Sequence, residues 1–473
     1  MTNKKQSPTV SRRTFMGTAA AAAGITILPR HVLGAGFQAP SDTVNVAVIG
    51  FAHGMGTSNL MNVAKTDNIV ALCDCDASDA AKAAMTKNGI SEKFPKATLH
   101  QDFRKMLETQ KDIDAVVVAT PDHNHAVIAM AAMQLGKHVY VQKPLTRTVS
   151  EARALTEAAR KYKVVTQMGN QGHSEEGLRL MQEWVAAGAI GAIRDVHCWT
   201  NRPVWPQGFP RPTETPAVPE GLDWDLWIGP APMRPYSPEY HPFAWRAIQD
   251  FGAGAMGDMG CHVMDAAFTV LKLGSPDSVI ATEAVSVIRI PGTPPGWGGY
   301  KRMEYNDSYP PASVIHMSFP ARGEMPPVKL HWYDGGILPE RPEDLEPERK
   351  MPESGTIFVG DKGKMWCETY SESPRLIPES AMTAFVRPPK TLPRVPLGRE
   401  GHEQNWLDAI RQKGQAVSNF DYAGPFTEAV LLGNVALRFP GTRLMWDGPG
   451  MKVTSVLEAN QLVQHTYRPG WTL

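Results

Sequence analysis

The chain has 473 residues, with 48 Lys and Arg against 48 Asp and Glu, 42% hydrophobic residues and five cysteines. A neutral balance without a basic block argues against nucleic acid as a partner. Cys73, Cys75, Cys198, Cys261 and Cys367 are an odd set without CxxC spacing, which favours buried free thiols over a disulfide framework and leaves no complete ligand set for a metal.

Residues 1–40 hold five basic residues and no acidic one, with Ser11-Arg12-Arg13-Thr14-Phe15-Met16 ahead of a weakly apolar run, Gly17 to Leu28. This is the twin-arginine (Tat) pattern that exports already folded proteins across a bacterial inner membrane. The run is too short and too rich in Ala to span a bilayer, so no stable membrane anchor is expected. The expectations are a periplasmic protein and the Tat machinery as a transient partner.

From Val44 to Met168 the sequence alternates short apolar runs with helical stretches. Strands are expected at Val44–Gly50, Asn68–Asp74, Ala115–Ala119, His138–Gln142 and Val164–Met168, with helices between them, including His125–Gln134 and Ser150–Lys161. That rhythm predicts a parallel, doubly wound Rossmann sheet over 41–168. Over 169–473 the texture changes to a helix from Ser174, a strand at Ile193–Trp199, and a Trp- and Pro-rich loop from Arg202 to about Arg246. Further strands follow at Ser278–Ile290, Ala312–Phe319, Val328–Tyr333 and Gly355–Val359, with a hairpin turn at Gly360-Asp361-Lys362-Gly363. Helices at His402–Gln412 and Thr427–Leu437 are expected to pack back on the first domain. The fold class is therefore α/β: a Rossmann domain followed by an α+β domain built on an open, mostly antiparallel sheet.

Gly50, Gly54, Met55 and Gly56 lie between the first strand and the first helix, where backbone amides and a helix N-terminus hold a pyrophosphate. The glycine spacing departs from G-x-G-x-x-G, and a parallel sheet without a nicotinamide remains an alternative. Asp74, ending the second strand, is placed to accept ribose hydroxyls, and no arginine follows it closely, which favours NAD over NADP. No tyrosine has a lysine four residues on, so the short-chain dehydrogenase pattern is excluded.

Val141-Gln142-Lys143-Pro144 and Gly257-Asp258-Met259-Gly260-Cys261-His262-Val263-Met264-Asp265 bring an amine, an imidazole and carboxylates, the groups that move protons at a hydroxyl carbon. If a helix starts at Gly257, Asp258 and His262 share one face, with Asp258 in the first turn. A nearby lysine would keep His262 neutral and usable as a base. Trp205, Trp245 and Arg246 of the aromatic loop suit sugar faces and hydroxyls. Trp224 and Trp227 read as packing residues. Asn170 and His173 follow the fifth strand, in position for nicotinamide or substrate.

Ala119-Thr120-Pro121-Asp122-His123-Asn124-His125, Gln142-Lys143-Pro144 and the Gly257–Asp265 segment, in that order, resemble the Gfo/Idh/MocA oxidoreductases, in particular their exported branch. The resemblance implies a nicotinamide cofactor with a sugar or polyol substrate, Thr120, Pro121, His123 and His125 on the nicotinamide side beside Gln142, Lys143 as proton relay, and Asp258 and His262 completing the acid/base set. Gln142 stands where the family usually has Glu. Because free NAD is scarce outside the cytoplasm, an exported member is expected to carry its cofactor tightly bound. This admits a redox-neutral glycosidase or lyase working through a keto intermediate, as some relatives are, besides a net dehydrogenase. A catalytically idle saccharide-binding protein is the reading from another class. An open-faced sheet also leads us to expect a homo-oligomer.

Overall fold

The computed structural model describes residues 42–473 apart from His53 and Pro295; the export segment expected over 1–40 lies outside the described residues. Asn45–Ile49 (β1), Asn68–Cys73 (β2), Thr98–His100 (β3), Ala115–Val118 (β4), His138–Val141 (β5) and Thr166–Met168 (β6) form a sheet in the order β3-β2-β1-β4-β5-β6. Every pairing is parallel. Apolar residues along β1 allow burial on both faces: Ala47 and Ile49 enter one core cluster, Val46 and Val48 the other. β3 escaped the sequence reading because it is three residues long and exposes Thr98 and Leu99. The order reverses between β1 and β4, where ligands of such sheets bind.

The second sheet is built on Ile193–Trp199 (β7), Ser278–Glu283 (β8), Ser313–Phe319 (β11), Val328–Tyr333 (β12), Gly355–Gly360 (β13), Lys364–Glu368 (β14), Arg375–Ile377 (β15), Leu444–Asp447 (β16) and Lys452–Val453 (β17). Its order is β15-β14-β13-β7-β12-β11-β8-β16-β17. β7 and β12 run parallel; the other pairs are antiparallel. Burial alternates along β11, with Ile315, Met317 and Phe319 inward and His316 outward, so one face packs on helices and the other is open. The Gly360 amide bonds the Gly363 carbonyl at 2.9 Å, closing the expected hairpin.

The single strand expected over Ser278–Ile290 is broken. Tyr305 Oη accepts from the Ser286 amide at 2.7 Å and donates to the Ala284 carbonyl at 2.9 Å. A side chain thereby satisfies the backbone there, and Val287–Arg289 (β9) leaves the sheet to pair with Tyr300–Arg302 (β10). The terminal helices do return to the first sheet. His402–Ile410 brings Trp406 and Leu407 into the β1 core. The last long helix starts at Phe420 rather than Thr427, because the Asn419 side chain caps the Asp421 amide and Pro425 is accommodated inside it. Its Gly424 lies so close to the Val149–Tyr162 helix that a Cβ would sit 1.8 Å from Thr156 Oγ1.

Arg411, just past the His402–Ile410 helix, pairs with Asp67 before β2, and both side chains are almost fully buried. Arg411→Met should cost about 3–5 kcal/mol by leaving Asp67 buried without its counter-charge. A urea midpoint unchanged from the parent protein would show that this contact does not hold the C-terminal helix to the sheet.

Candidate active site

A cavity of about 300 Å³ opens at the carboxyl ends of β1, β2, β4 and β5. Gly50 takes φ +82° and a Cβ there would fall 2.6 Å from the Ala119 carbonyl oxygen, so the turn out of β1 admits only glycine. Gly54 precedes the Met55–Val63 helix with φ +61° and nothing within 4 Å of where its Cβ would stand. That leaves clear space before a helix N-terminus, as a pyrophosphate needs. Asp74 is held at the end of β2 by the Ala52 amide on Oδ2 at 3.0 Å and the Asp76 amide on Oδ1 at 3.1 Å. A carboxylate fixed at this strand end is of the type that accepts ribose hydroxyls. Thr120 Oγ1 is buried in the cavity wall without a partner among the described residues. An orphaned hydroxyl, an open glycine turn and a fixed carboxylate fit a nicotinamide dinucleotide.

Lys143, leaving β5, crosses to the second domain. Its Nζ donates to Asp258 Oδ1 at 2.7 Å and to the Asp258 carbonyl at 2.8 Å. Burial pushes the Asp258 carboxyl up, but Lys143 and Arg246 more than offset this, so it lies below the ordinary carboxylate range. Arg246 and Trp245 also line the cavity, with the guanidinium 4.3 Å from the Trp245 ring centre. The helix carrying Asp258 spans Gly254–Val263, beginning three residues earlier than expected. Asp258 is therefore outside its first turn, and the lysine rather than the helix dipole holds the charge. His262, one turn on, is buried, edge-on to Tyr370 at 4.8 Å, and its Nδ1 has no partner among the described residues. Burial first and Lys143 second hold its imidazole well below the ordinary histidine range. It does not line the cavity, so the amine meets the carboxylate and the imidazole stands behind them.

Gly50, Gly54, Met55, Asp74, Thr120, Pro121, Gln142, Lys143, Asp258, Trp245 and Arg246 line this one cavity. Other expected residues stand apart from it. Gly56 serves helix packing, since a Cβ would sit 2.0 Å from the Gly50 carbonyl oxygen. His123 lies between the Trp227 and Phe251 carbonyls, at 2.9 and 3.1 Å, and burial drives its pKa down to about 3. His125 lies between the Thr120 and Pro144 carbonyls, each at 2.9 Å. Both imidazoles tie backbone segments together instead of facing the cofactor space. Asn170 and His173 turn toward buried Asp265, which also accepts from Tyr422 Oη at 2.5 Å. The Gln171–Ser174 turn carries them away from the strand ends. Trp205 is buried against Gln207, its indole nitrogen 2.9 Å from Oε1. Trp227 does stack on Trp224 at 4.6 Å, as packing residues do, yet it also lines the cavity.

The sequence reading missed the roof. Leu226, Trp227, His241, Pro242 and Phe243 of the aromatic loop close the cavity from above, and the loop is fixed beside the ribose carboxylate by Ala77–Gly221 and Asp223–Cys75 backbone bonds, 3.0 and 2.9 Å. His241 Nε2 lies 3.4 Å from Asp76 Oδ2. It also missed Asp122, the acid directly after Pro121. This carboxyl lines the cavity, accepts from the Ala253 amide at 3.0 Å at the head of the Asp258 helix, and is pushed up to about 7 by burial. Its signal was an acid at the strand end inside the quoted motif.

Residues 44–170 match the NAD-binding Rossmann fold of the Gfo/Idh/MocA oxidoreductase family, and residues 201–288 match that family's C-terminal alpha/beta domain. The chain is 30% identical over 183 residues to levoglucosan dehydrogenase of Pseudarthrobacter phenanthrenivorans, covering 38% of this chain and 39% of that protein. It is 30% identical over 212 residues to a glycosyl hydrolase family 109 protein of Saccharopolyspora erythraea, covering 40% and 46%. It thus spans less than half the length of these curated relatives. Its fold is like that of the WlbA dehydrogenase of Bordetella pertussis, solved with NADH and UDP-GlcNAcA: TM-score 0.55 over 86% of this chain and 99% of that one, at 16% identity.

Asp122 supplies a pH test. Its folded pKa of about 7 lies above the ordinary carboxylate range, so folding takes up a proton between pH ~4 and ~7, and this carboxyl opposes folding increasingly as pH rises through that window. Asn keeps the acceptor for Ala253 and cannot ionise. Asp122→Asn should gain stability over the parent by a few kcal/mol between pH ~5 and ~7.5, read as urea midpoints, and parallel curves would remove the buried acid from this account.

Proposed function

We propose, from the match of residues 44–170 and 201–288 to two domains of the Gfo/Idh/MocA oxidoreductase family, an NAD-dependent oxidoreductase acting on a hydroxyl of a sugar, polyol or glycoside. The observation that carries this reading is the Lys143–Asp258 pair at 2.7 Å in the wall of the dinucleotide cavity. A bound nicotinamide would take up, or return, the hydride at the substrate carbinol carbon. As the neutral amine, Lys143 would take the hydroxyl proton while the carbonyl forms, and as the ammonium paired with Asp258 it would give that proton back in the reverse direction. Asp258 holds the amine in place and balances the charge of its protonated form, while His262 lies one helical turn on, outside the cavity lining. Trp245 offers an apolar face to a sugar ring. Similarity to levoglucosan dehydrogenase supports a carbohydrate hydroxyl, and Asp74 with no neighbouring arginine supports NAD over NADP.

The second reading is a redox-neutral glycosidase, in which oxidation of a ring hydroxyl acidifies the neighbouring C–H, the glycosidic group leaves as that proton is lost, water adds, and the hydride returns. Similarity to the family 109 glycosyl hydrolase and a roof that closes over the cavity favour it. Both readings call for tightly held cofactor, and Arg12-Arg13 supports export of the folded protein to the periplasm by the Tat machinery. The open sheet face supports pairing with a second copy.

The protein as purified should release nicotinamide on denaturation, seen by mass spectrometry. Lys143→Ala should lower turnover by a factor of about 10² or more with nicotinamide retained; undiminished turnover would take Lys143 out of the mechanism. Aryl glycoside cleavage without added cofactor marks the glycosidase, and reduced nicotinamide on addition of a free sugar marks the dehydrogenase. Arg12→Lys with Arg13→Lys should hold the protein in the cytoplasm on cell fractionation, and undisturbed export would exclude the Tat route.

A further inference from the structure

Three cations converge on one carboxylate, Asp258 in the cavity wall; Lys143 and Arg246 line the cavity with it, and Arg202 approaches the carboxylate from beyond that lining. Beside Lys143, Arg246 Nε lies 3.9 Å from Asp258 Oδ1 and Arg202 Nε lies 3.9 Å from Oδ2. These two arginines bound the aromatic loop in sequence, and the loop brings them back together. At that separation neither guanidinium hydrogen-bonds the carboxylate. Arg246 spends one donor on the Phe243 carbonyl, Nη1 to O at 3.0 Å. Arg202 spends one on the Asn201 side-chain oxygen at 3.4 Å. Arg153, by contrast, grips Glu428 with two bonds of 2.7 Å. The side chains of Arg202 and Arg246 are 33% and 23% exposed, so their free edges remain reachable. The Arg246 plane is held against Trp245 and Phe243, with ring centres at 4.3 and 4.7 Å.

The charges do not balance. Lys143, Arg202 and Arg246 face Asp258 and Asp122, and burial pushes Asp122 up toward neutrality, while His262 is uncharged. A site with surplus cations and unspent, planar guanidinium forks is completed by a carboxylate, whose two oxygens match the fork.

We propose, resting on the oxidoreductase reading above, that the substrate is a carbohydrate bearing a carboxylate, a hexuronic acid or its glycoside, whose carboxylate is held between Arg202 and Arg246 while a ring hydroxyl reaches Lys143. The arginines then bind and orient, and the proton chemistry stays with the lysine.

The test uses full-length protein with its nicotinamide bound, titrated by calorimetry with D-glucuronate, D-galacturonate, D-glucose, D-galactose and D-glucose 6-phosphate, with reduced nicotinamide followed by absorbance. A hexuronate should bind at least about tenfold more tightly than its neutral hexose, with the gap shrinking in high salt. Arg202→Gln and Arg246→Gln should each erase most of that preference with nicotinamide retained, and Arg246→Lys should restore part of it. Equal or tighter binding of a neutral hexose that reduces the nicotinamide overturns the carboxylate assignment and leaves the oxidoreductase reading standing. Tighter binding of the sugar phosphate overturns it too, as does loss of nicotinamide in the glutamine variants, which would assign the arginines to the cofactor. Failure of every sugar to bind or to reduce the retained nicotinamide sinks the oxidoreductase reading instead.

Discussion

The site depends on one ion pair made across two sheets. Lys143 leaves the carboxyl end of β5, and its amine is held by the side chain and carbonyl of Asp258, on a helix of the second domain, at 2.7 and 2.8 Å. Neither partner would be placed by its own domain alone. An ammonium taken from water needs its counter-charge and hydrogen bonds together, so the two domains have one favoured arrangement here. The same contact sets an amine at the edge of the dinucleotide cavity, where a substrate hydroxyl would lie.

Around that pair the first turn of the Asp122–Gln134 helix acts as a clasp. Asp122 accepts the Ala253 amide, His123 lies between the Phe251 and Trp227 carbonyls, and the Asn124 amide donates to Trp227. Three successive side chains of the Rossmann domain thus satisfy backbone groups of the aromatic loop and of the Asp258 helix. Buried polar groups must find partners, and these partners lie in the roof of the cavity. The apolar cluster of Trp224, Trp227, Tyr240, Trp245 and Phe251 gives that roof a core of its own, which explains how so long a connection stays ordered.

Two carboxyls of the cavity are driven apart by their surroundings. Asp258 touches Lys143 and stays ionised, whereas Asp122 is farther from the cations and burial leaves it near pKa 7. Such divergence between neighbouring acids is how one cavity holds a fixed charge beside a group able to exchange protons. The cationic surplus is a consequence of the same arrangement, since Lys143 already claims the nearest carboxylate and the arginines remain to meet a charge from outside.

The sequence by itself determined five of the six strands of the first sheet, all but the short, exposed β3. β1 ends in glycine and β2 at a carboxylate, and local composition suffices to mark Gly50, Asp74 and Lys143 as one edge. It also marked Asp258 and His262 as helical neighbours, since their four-residue spacing is a property of any helix. Tertiary structure alone decided which of these side chains face the cavity. His123, His125, Asn170 and His173 sit in segments that read as cofactor-facing, but the carbonyls and carboxylate that claim them come from loops up to 128 residues distant. The roof and the approach of Arg202 and Arg246 to Asp258 were equally hidden, because an irregular loop has no periodicity from which to tell where its ends will meet. Short-range pattern encodes elements and their exposed ends; which buried polar atom satisfies which is settled when the chain closes on itself.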